Sequence, residues 1–155
     1  MELKFHGVRG SVPTPGTDFA KYGGNTSCLE IKTETFQLII DAGSGFKSVT
    51  IDKDTPTFFL LSHFHHDHIQ GFPFNSELFN SEFQMHMSTS LVDSRQFQSI
   101  LKKTFSPPFF PIVLVDEINS LNFMDFEIFK SATIDYFDVS HVSLNHPGGA
   151  DGYVI

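Results

Sequence analysis

The chain has 155 residues, a formal charge of −8 and 40% hydrophobic residues, with 19 Phe and no Trp. That length suits one domain with a real core, and the acidic balance argues against a broad electrostatic nucleic-acid surface. A single cysteine excludes an intrachain disulfide framework, and no apolar run approaches membrane-spanning length.

Met1-Glu2-Leu3-Lys4 leads straight into a strand rather than a secretory signal, so a soluble, cytoplasmic protein is expected. Leu3 to Val8 reads as that first strand. Arg9 to Gly24 is rich in Gly, Pro and Thr and reads as a loop, long for a compact domain and of a kind that often carries function. Thr26 to Lys32 and Phe36 to Asp41 read as two strands joined at Thr33-Glu34-Thr35. Cys28, within the first of them, is expected to be a buried core thiol. Gly45 to Ile51 reads as a short helix and Thr57 to Ser62 as a buried strand. Gly71 and Pro73 break the stretch Ile69 to Phe79 into loop and short helix.

Phe83 to Met87 alternates and predicts a strand. Leu91 to Lys103 carries Leu91, Val92, Phe97, Ile100 and Leu101 at spacings that suit an amphipathic helix. Phe105 to Pro111 is a Pro-rich loop. Ile112 to Val115, Phe126 to Lys130, Thr133 to Val139 and Tyr153 to Ile155 read as further strands. Strands interleaved with helices predict an α/β layered fold.

The chemistry concentrates in Ser62-His63-Phe64-His65-His66-Asp67-His68, directly after the apolar run Phe58 to Leu61. Neutral imidazoles and a carboxylate delivered into one loop by a buried strand are what a divalent transition metal needs. His63 and His65 are two apart, so at an extended strand end they point to the same side and can chelate one ion. Asp67 and His68 follow where the chain turns and can face a second ion. A solvent-exposed histidine cluster is the plainer alternative. The strand before the motif and Gly71 after it supply the context a metal turn requires.

The H-x-H-x-D-H pattern resembles the metallo-β-lactamase-fold superfamily of metal-dependent hydrolases. Four further segments carry the resemblance over nearly the whole chain: His6 to Pro13, Tyr22 to Cys28, Ile40-Asp41-Ala42-Gly43-Ser44-Gly45, and Asn145-His146-Pro147-Gly148-Gly149 with Gly152-Tyr153. The combination is similar to the ribonuclease Z-like and cyclic-phosphate phosphodiesterase branch. It implies an αββα sandwich, one domain over residues 1–155, with the metal site at one edge between the sheets. His63, His65 and His146 are then the ligands of a first ion, and Asp67 and His68 of a second. Asp41 lies beneath them and orients ligands, with a helix cap or turn-former before Gly43 as its plainer reading, and Asp67 also orients the nucleophile. The resemblance implies hydrolysis of a phosphodiester, cyclic nucleotide or RNA-like, through a metal-activated hydroxide. Two divalent ions are implied, zinc first, with manganese or iron also suited to histidines and carboxylates.

The remaining candidates have plainer readings beside the functional ones. His66 faces outward or contacts substrate. His6, His86 and His141 are ordinary surface or core histidines, His141 being the nearest spare to His146. Asn25 and Arg9 could hold a substrate phosphate from the long loop, beside the plainer readings of a turn-stabilising Asn and a surface Arg.

The resembled domains are longer. Beyond the segment matching Gly152-Tyr153 they carry a bridging aspartate and a final metal-binding histidine. The expectation is therefore the N-terminal portion of the sandwich: a fragment of a longer enzyme, a chain completed by a partner or a second copy, or a non-catalytic metal-binding form. An isolated monomer of this length is expected to hydrolyse weakly at most. Hydrolysis of another bond, such as a thioester or lactam, is the alternative within enzymes.

Overall fold

The structure, a computed structural model, describes residues 1–80 and 82–155. Its main layer is a six-stranded sheet in sequential order: β1 (Glu2–Gly7), β2 (Cys28–Lys32), β3 (Gln37–Ile40), β4 (Thr57–Leu60), β5 (Met85–Ser88) and β6 (Leu121–Phe123). β1–β2 and β2–β3 pair antiparallel, and β3 through β6 run parallel. A separate hairpin, β7 (Ser140–Leu144) and β8 (Ala150–Val154), forms a two-stranded sheet. The helices are α1 (His66–Ile69), α2 (Ser94–Thr104), α3 (Leu114–Glu117) and α4 (Phe126–Thr133), with 3-10 turns at Thr17–Phe19, Ser44–Ser48, Phe72–Phe74 and Ser76–Phe79.

The apolar runs of β3 and β4 are continuous because both faces of these strands are covered, as parallel strands require. On one face Ile39, Phe59, Met85 and Met87 pack with Phe46, Phe72, Phe97 and Leu101. On the other, Leu38, Phe58 and Leu60 pack with Phe36, Phe129 and Val139. α2 starts where Asp93 accepts a hydrogen bond from the Gln96 N–H at 2.8 Å, an N-cap. It buries Phe97 and Leu101, one turn apart.

A buried polar knot pins the far end of the sheet. The Gln37 amide donates to Glu30 at 2.6 Å and to the Thr50 carbonyl at 2.9 Å. Its oxygen accepts from the Asp52 N–H and the Thr57 hydroxyl. His6 meets the other Glu30 oxygen at 2.6 Å. Every polar atom of the Gln37 side chain is thus paired, which makes its burial tolerable.

Three expected strands fail. Ile112 to Val115 runs into the helical turn α3, and the last parallel strand is instead Leu121–Phe123. Phe126 to Lys130 is helical: Phe126, Phe129 and Thr133 face the second core at spacings of three and four, so the helical period outweighs the aromatic composition. Thr133 to Val139 contains the turn in which Thr133 accepts from the N–H groups of Tyr136 and Phe137 at 2.8 Å, and the strand begins only at Ser140. Apolar surface stays open on the edge strand β1, at Leu3 and Phe5, and on the hairpin, at Val142, Leu144 and Val154. Among the described residues no helix is long and apolar enough to cross a membrane.

Candidate metal centre

Ile40, Leu60 and Ser88 stand side by side at the carboxyl ends of β3, β4 and β5. The residues after them therefore meet along one edge, the place where parallel sheets present their ligand sites. β3 leads to Asp41, β4 to Ser62 and His63, and β5 to Thr89 and Ser90.

The turn from Ser62 to His68 is fixed by close backbone contacts. Ala42 N–H donates to the His68 carbonyl at 2.7 Å, and Gly71 N–H to the Ala42 carbonyl at 2.8 Å. A Cβ on Gly43 would stand 2.3 Å from the Asp67 carbonyl oxygen, and one on Gly71 would stand 1.9 Å from the Gly43 carbonyl oxygen. Only glycine lets these two segments touch.

Asp41 sits beneath the turn with φ 64°, a left-handed conformation that aspartate tolerates better than most residues. Its Oδ1 accepts the Ser62 N–H at 2.9 Å. Its Oδ2 accepts the Ser62 hydroxyl at 3.0 Å, the Ser27 hydroxyl at 3.2 Å and His68 Nδ1 at 2.7 Å. Ser62 Oγ also stands 3.0 Å from His63 Nδ1. A hydroxyl has one proton. Given to Asp41, it leaves Ser62 to accept from His63 Nδ1–H. In the neutral rings, His63 and His68 then both carry their free lone pair on Nε2, the tautomer that a ligand role needs.

His63, His65 and His146 each place a ring nitrogen within 4.8 Å of the others. His65 Nδ1 and His146 Nε2 are 3.1 Å apart. Ligands about 2.0–2.1 Å from a tetrahedral ion lie about 3.3 Å apart, so this spacing fits a shared cation. His146 arrives on the β7–β8 turn. Gly149 N–H donates to the His146 carbonyl at 3.0 Å, and Gly148 has φ 85°. With Pro147 at the preceding position this is a type II turn, which accounts for His-Pro-Gly-Gly.

His63 is 6% exposed, whereas His65 and His146 are open to solvent. Burial, reinforced by the positive tendency of His68, lowers the His63 pKa from 6.5 to about 4. His63 is therefore neutral at pH 7, as a ligand must be. Burial alone would push His68 down as well, but its hydrogen bond to Asp41 and the charges of Asp41 and Asp67 outweigh that and raise it. Asp67 Oδ2 lies 3.6 Å from His68 Nε2 and accepts the Ser11 N–H at 2.7 Å. Burial pushes its carboxyl up, yet that N–H and the His68 ring prevail and hold it below the ordinary range. Asp67 and His68 offer two donors of their own. Among the described residues, the group of three or more donors is the histidine trio.

A metallo-β-lactamase fold protein from Bacillus subtilis, YhfI, superposes with a TM-score of 0.59 at 17% identity over 97% of the chain. The chain has the metallo-β-lactamase fold. Human tRNase Z, short form (ELAC1), superposes with a TM-score of 0.58 at 16% identity over 99% of the chain. The chain spans 56% of the first structure and 64% of the second. No family model and no curated protein matches the sequence.

The other singled-out residues do different work. His66 is exposed. His6 pairs with Glu30, and His86 contacts Asn122 and Phe58. His141 stands 3.0 Å from Asp151 rather than with the trio. The Arg9 guanidinium lies over Phe19, and its Nε donates to the Val12 carbonyl. Asn25 accepts the Ser44 hydroxyl and, through its carbonyl, the N–H groups of Val8 and Arg9. Cys28 is buried, and burial with Asp41 and Glu30 nearby pushes its thiol pKa up, so it is inert. Sequence reasoning missed Ser62, although it immediately precedes His63, and Ser11, whose contribution is a backbone N–H without a side-chain signature.

Proposed function

We propose that this chain carries the metal site of a metal-dependent hydrolase acting on phosphodiesters. The observation that carries the reading is the convergence of His63 and His65, from the end of β4, with His146 on a turn 81 positions away from His65. The donor set suits zinc, then manganese or iron. His63, His65 and His146 would hold one ion, and Asp67 and His68 would contribute to a second. A divalent ion held there supplies Lewis-acid polarisation of a substrate oxygen and acidifies water.

The chain's own groups supply the rest. Asp67, ionised and fixed by Ser11, accepts a proton from the attacking water and orients it. Asp41 and Ser62 hold the imidazoles of His63 and His68 in the ligating tautomer. The edge location leaves His65 and His146 accessible to a substrate.

A second reading is a metal-binding module without catalysis, or one completed by a partner chain or second copy. The observation favouring it is that Asp67 and His68 stand as a pair. Elemental analysis of purified protein, followed by zinc and manganese titration, tests the site. One tightly held ion per chain is expected, lost in His65→Ala; metal content unchanged by that substitution would refute the site. A panel of a bis-aryl phosphate, a thioester and a lactam tests the chemistry, with cleavage expected of the phosphate alone.

A further inference from the structure

We infer that Ser90, Asp151 and Tyr153 are positioning residues that set where His146 stands relative to His63 and His65. The inference rests on the metal-site reading above and concerns residues outside the ligand set.

The hairpin that carries His146 is held weakly by apolar packing. Every residue of β7 is exposed, and of β8 only Ala150 and Asp151 are buried. Hydrogen bonds take over the placement. Tyr153 OH donates to the Leu61 carbonyl at 2.8 Å, and Asp151 N–H donates to the Ser62 carbonyl at 3.1 Å. Leu61 and Ser62 are the two residues directly before His63, so β8 is fastened to the peptide that delivers the buried ligand. Ser90, just past β5, closes the device from the other side. Its N–H donates to Tyr153 OH at 3.2 Å, and its hydroxyl donates to Asp151 Oδ2 at 2.5 Å.

A carboxylate 2% exposed on an otherwise thinly packed hairpin is a costly choice for stability alone. Its other oxygen, Oδ1, is buried with no hydrogen-bond partner among the described residues. An apolar side chain would avoid that desolvation but could slide. Directional hydrogen bonds fix position to within a few tenths of an ångström, a tolerance that a shared ligand sphere demands. His141 Nδ1, on β7, stands 3.0 Å from the same Oδ2, which places both strands of the hairpin against the network.

The test compares Ser90→Ala, Tyr153→Phe, Ser90→Thr and a core control, Leu114→Ala, in the full chain. Cobalt(II) is the probe: its dissociation constant and its visible absorption report ligand number and geometry. Amide NMR shifts of His146 and Gly148 in metal-free protein report the hairpin's position without any ion. Ser90→Ala and Tyr153→Phe are expected to weaken cobalt binding by about 10- to 100-fold, the range seen when groups supporting a ligand are removed. They are also expected to alter the absorption and shift the two amides. Ser90→Thr, which keeps the hydroxyl, restores all three. Leu114→Ala lowers the melting temperature and leaves the absorption unchanged. If both network variants lose stability but keep wild-type cobalt affinity and absorption, the network is merely structural and the inference is overturned. If wild-type protein binds no cobalt, the metal-site reading falls and the inference with it.

Discussion

Asp41 accepts His68 Nδ1 at 2.7 Å from a backbone held at φ 64°. The strained residue follows β3 and the histidine sits in α1, 27 positions apart, and they meet only because β3 and β4 end in register. The same carboxylate takes the Ser62 N–H and hydroxyl. It therefore faces donors on both oxygens at once.

Asp41→Asn replaces one of those oxygens with an amide that itself donates. Whichever way the amide turns, a donor meets a donor. Zinc affinity is expected to fall by about 10- to 100-fold, because the ligand orientations loosen. Isothermal titration with zinc checks this; affinity within a factor of about two of wild type would remove Asp41 from its assigned role.

Gly71→Ala tests the contact between the metal turn and the loop after β3. The added methyl meets the Gly43 carbonyl oxygen at 1.9 Å, so backbone must move. A loss of about 2–3 kcal/mol in urea unfolding is expected, at the upper end for overpacking. Weakened metal binding should accompany it, because α1 carries Asp67 and His68.

Gln37→Leu probes the buried knot at the opposite end of the sheet. Glu30 loses its amide partner while remaining 7% exposed, and the Thr57 hydroxyl and Asp52 N–H lose their acceptor. Glu30 keeps His6 on its other oxygen, so the lost amide bond to a carboxylate costs about 1.5–3 kcal/mol. The metal site lies at the far strand ends, so zinc affinity of the folded fraction should not change.

Acid should destabilise the metal-free protein through His63. Its folded pKa of about 4 lies below the ordinary 6.5, so below pH 6.5 the unfolded chain binds a proton that the folded chain refuses. Stability from this source is complete above 6.5 and is lost as pH falls toward 4. His68 acts in the opposite direction, because its raised pKa favours the folded state when protonated. The urea midpoint in a chelator, compared at about pH 7 and about pH 5, should fall further for wild type than for His63→Asn. An equal fall in both would contradict the assignment.

The legible parts of this molecule were the local ones. His63 and His65 sit two residues apart after an apolar strand, so spacing alone placed them together. Cys28 and the strand hairpin of β2 and β3 were likewise read from neighbours in sequence. The partnership of His146 came through the resemblance, because a His-Pro-Gly-Gly turn says nothing of what it faces. Tyr153 stood out only as part of the Gly152-Tyr153 resemblance, and nothing marked Ser90 or Asp151 as its partners: the side-chain bonds among the three span 61 to 63 positions, and Tyr153 reaches Leu61 across 92. The region after Ile112 misled because Phe and Ile are common to strands and buried helices, and Phe126 and Phe129 owe their spacing to α4.

The type II turn that lifts His146 to the site has a consequence for how the molecule assembles. His63 and His65 are neighbours as soon as β4 ends, whereas His146 must be brought back across an 81-residue loop. Closing so long a loop costs entropy that only late, non-local contacts can offset. If the proposed site takes up an ion, two of its histidines are ready early and the third late, so ion uptake during refolding times the docking of the hairpin, the last step of the chain's own construction.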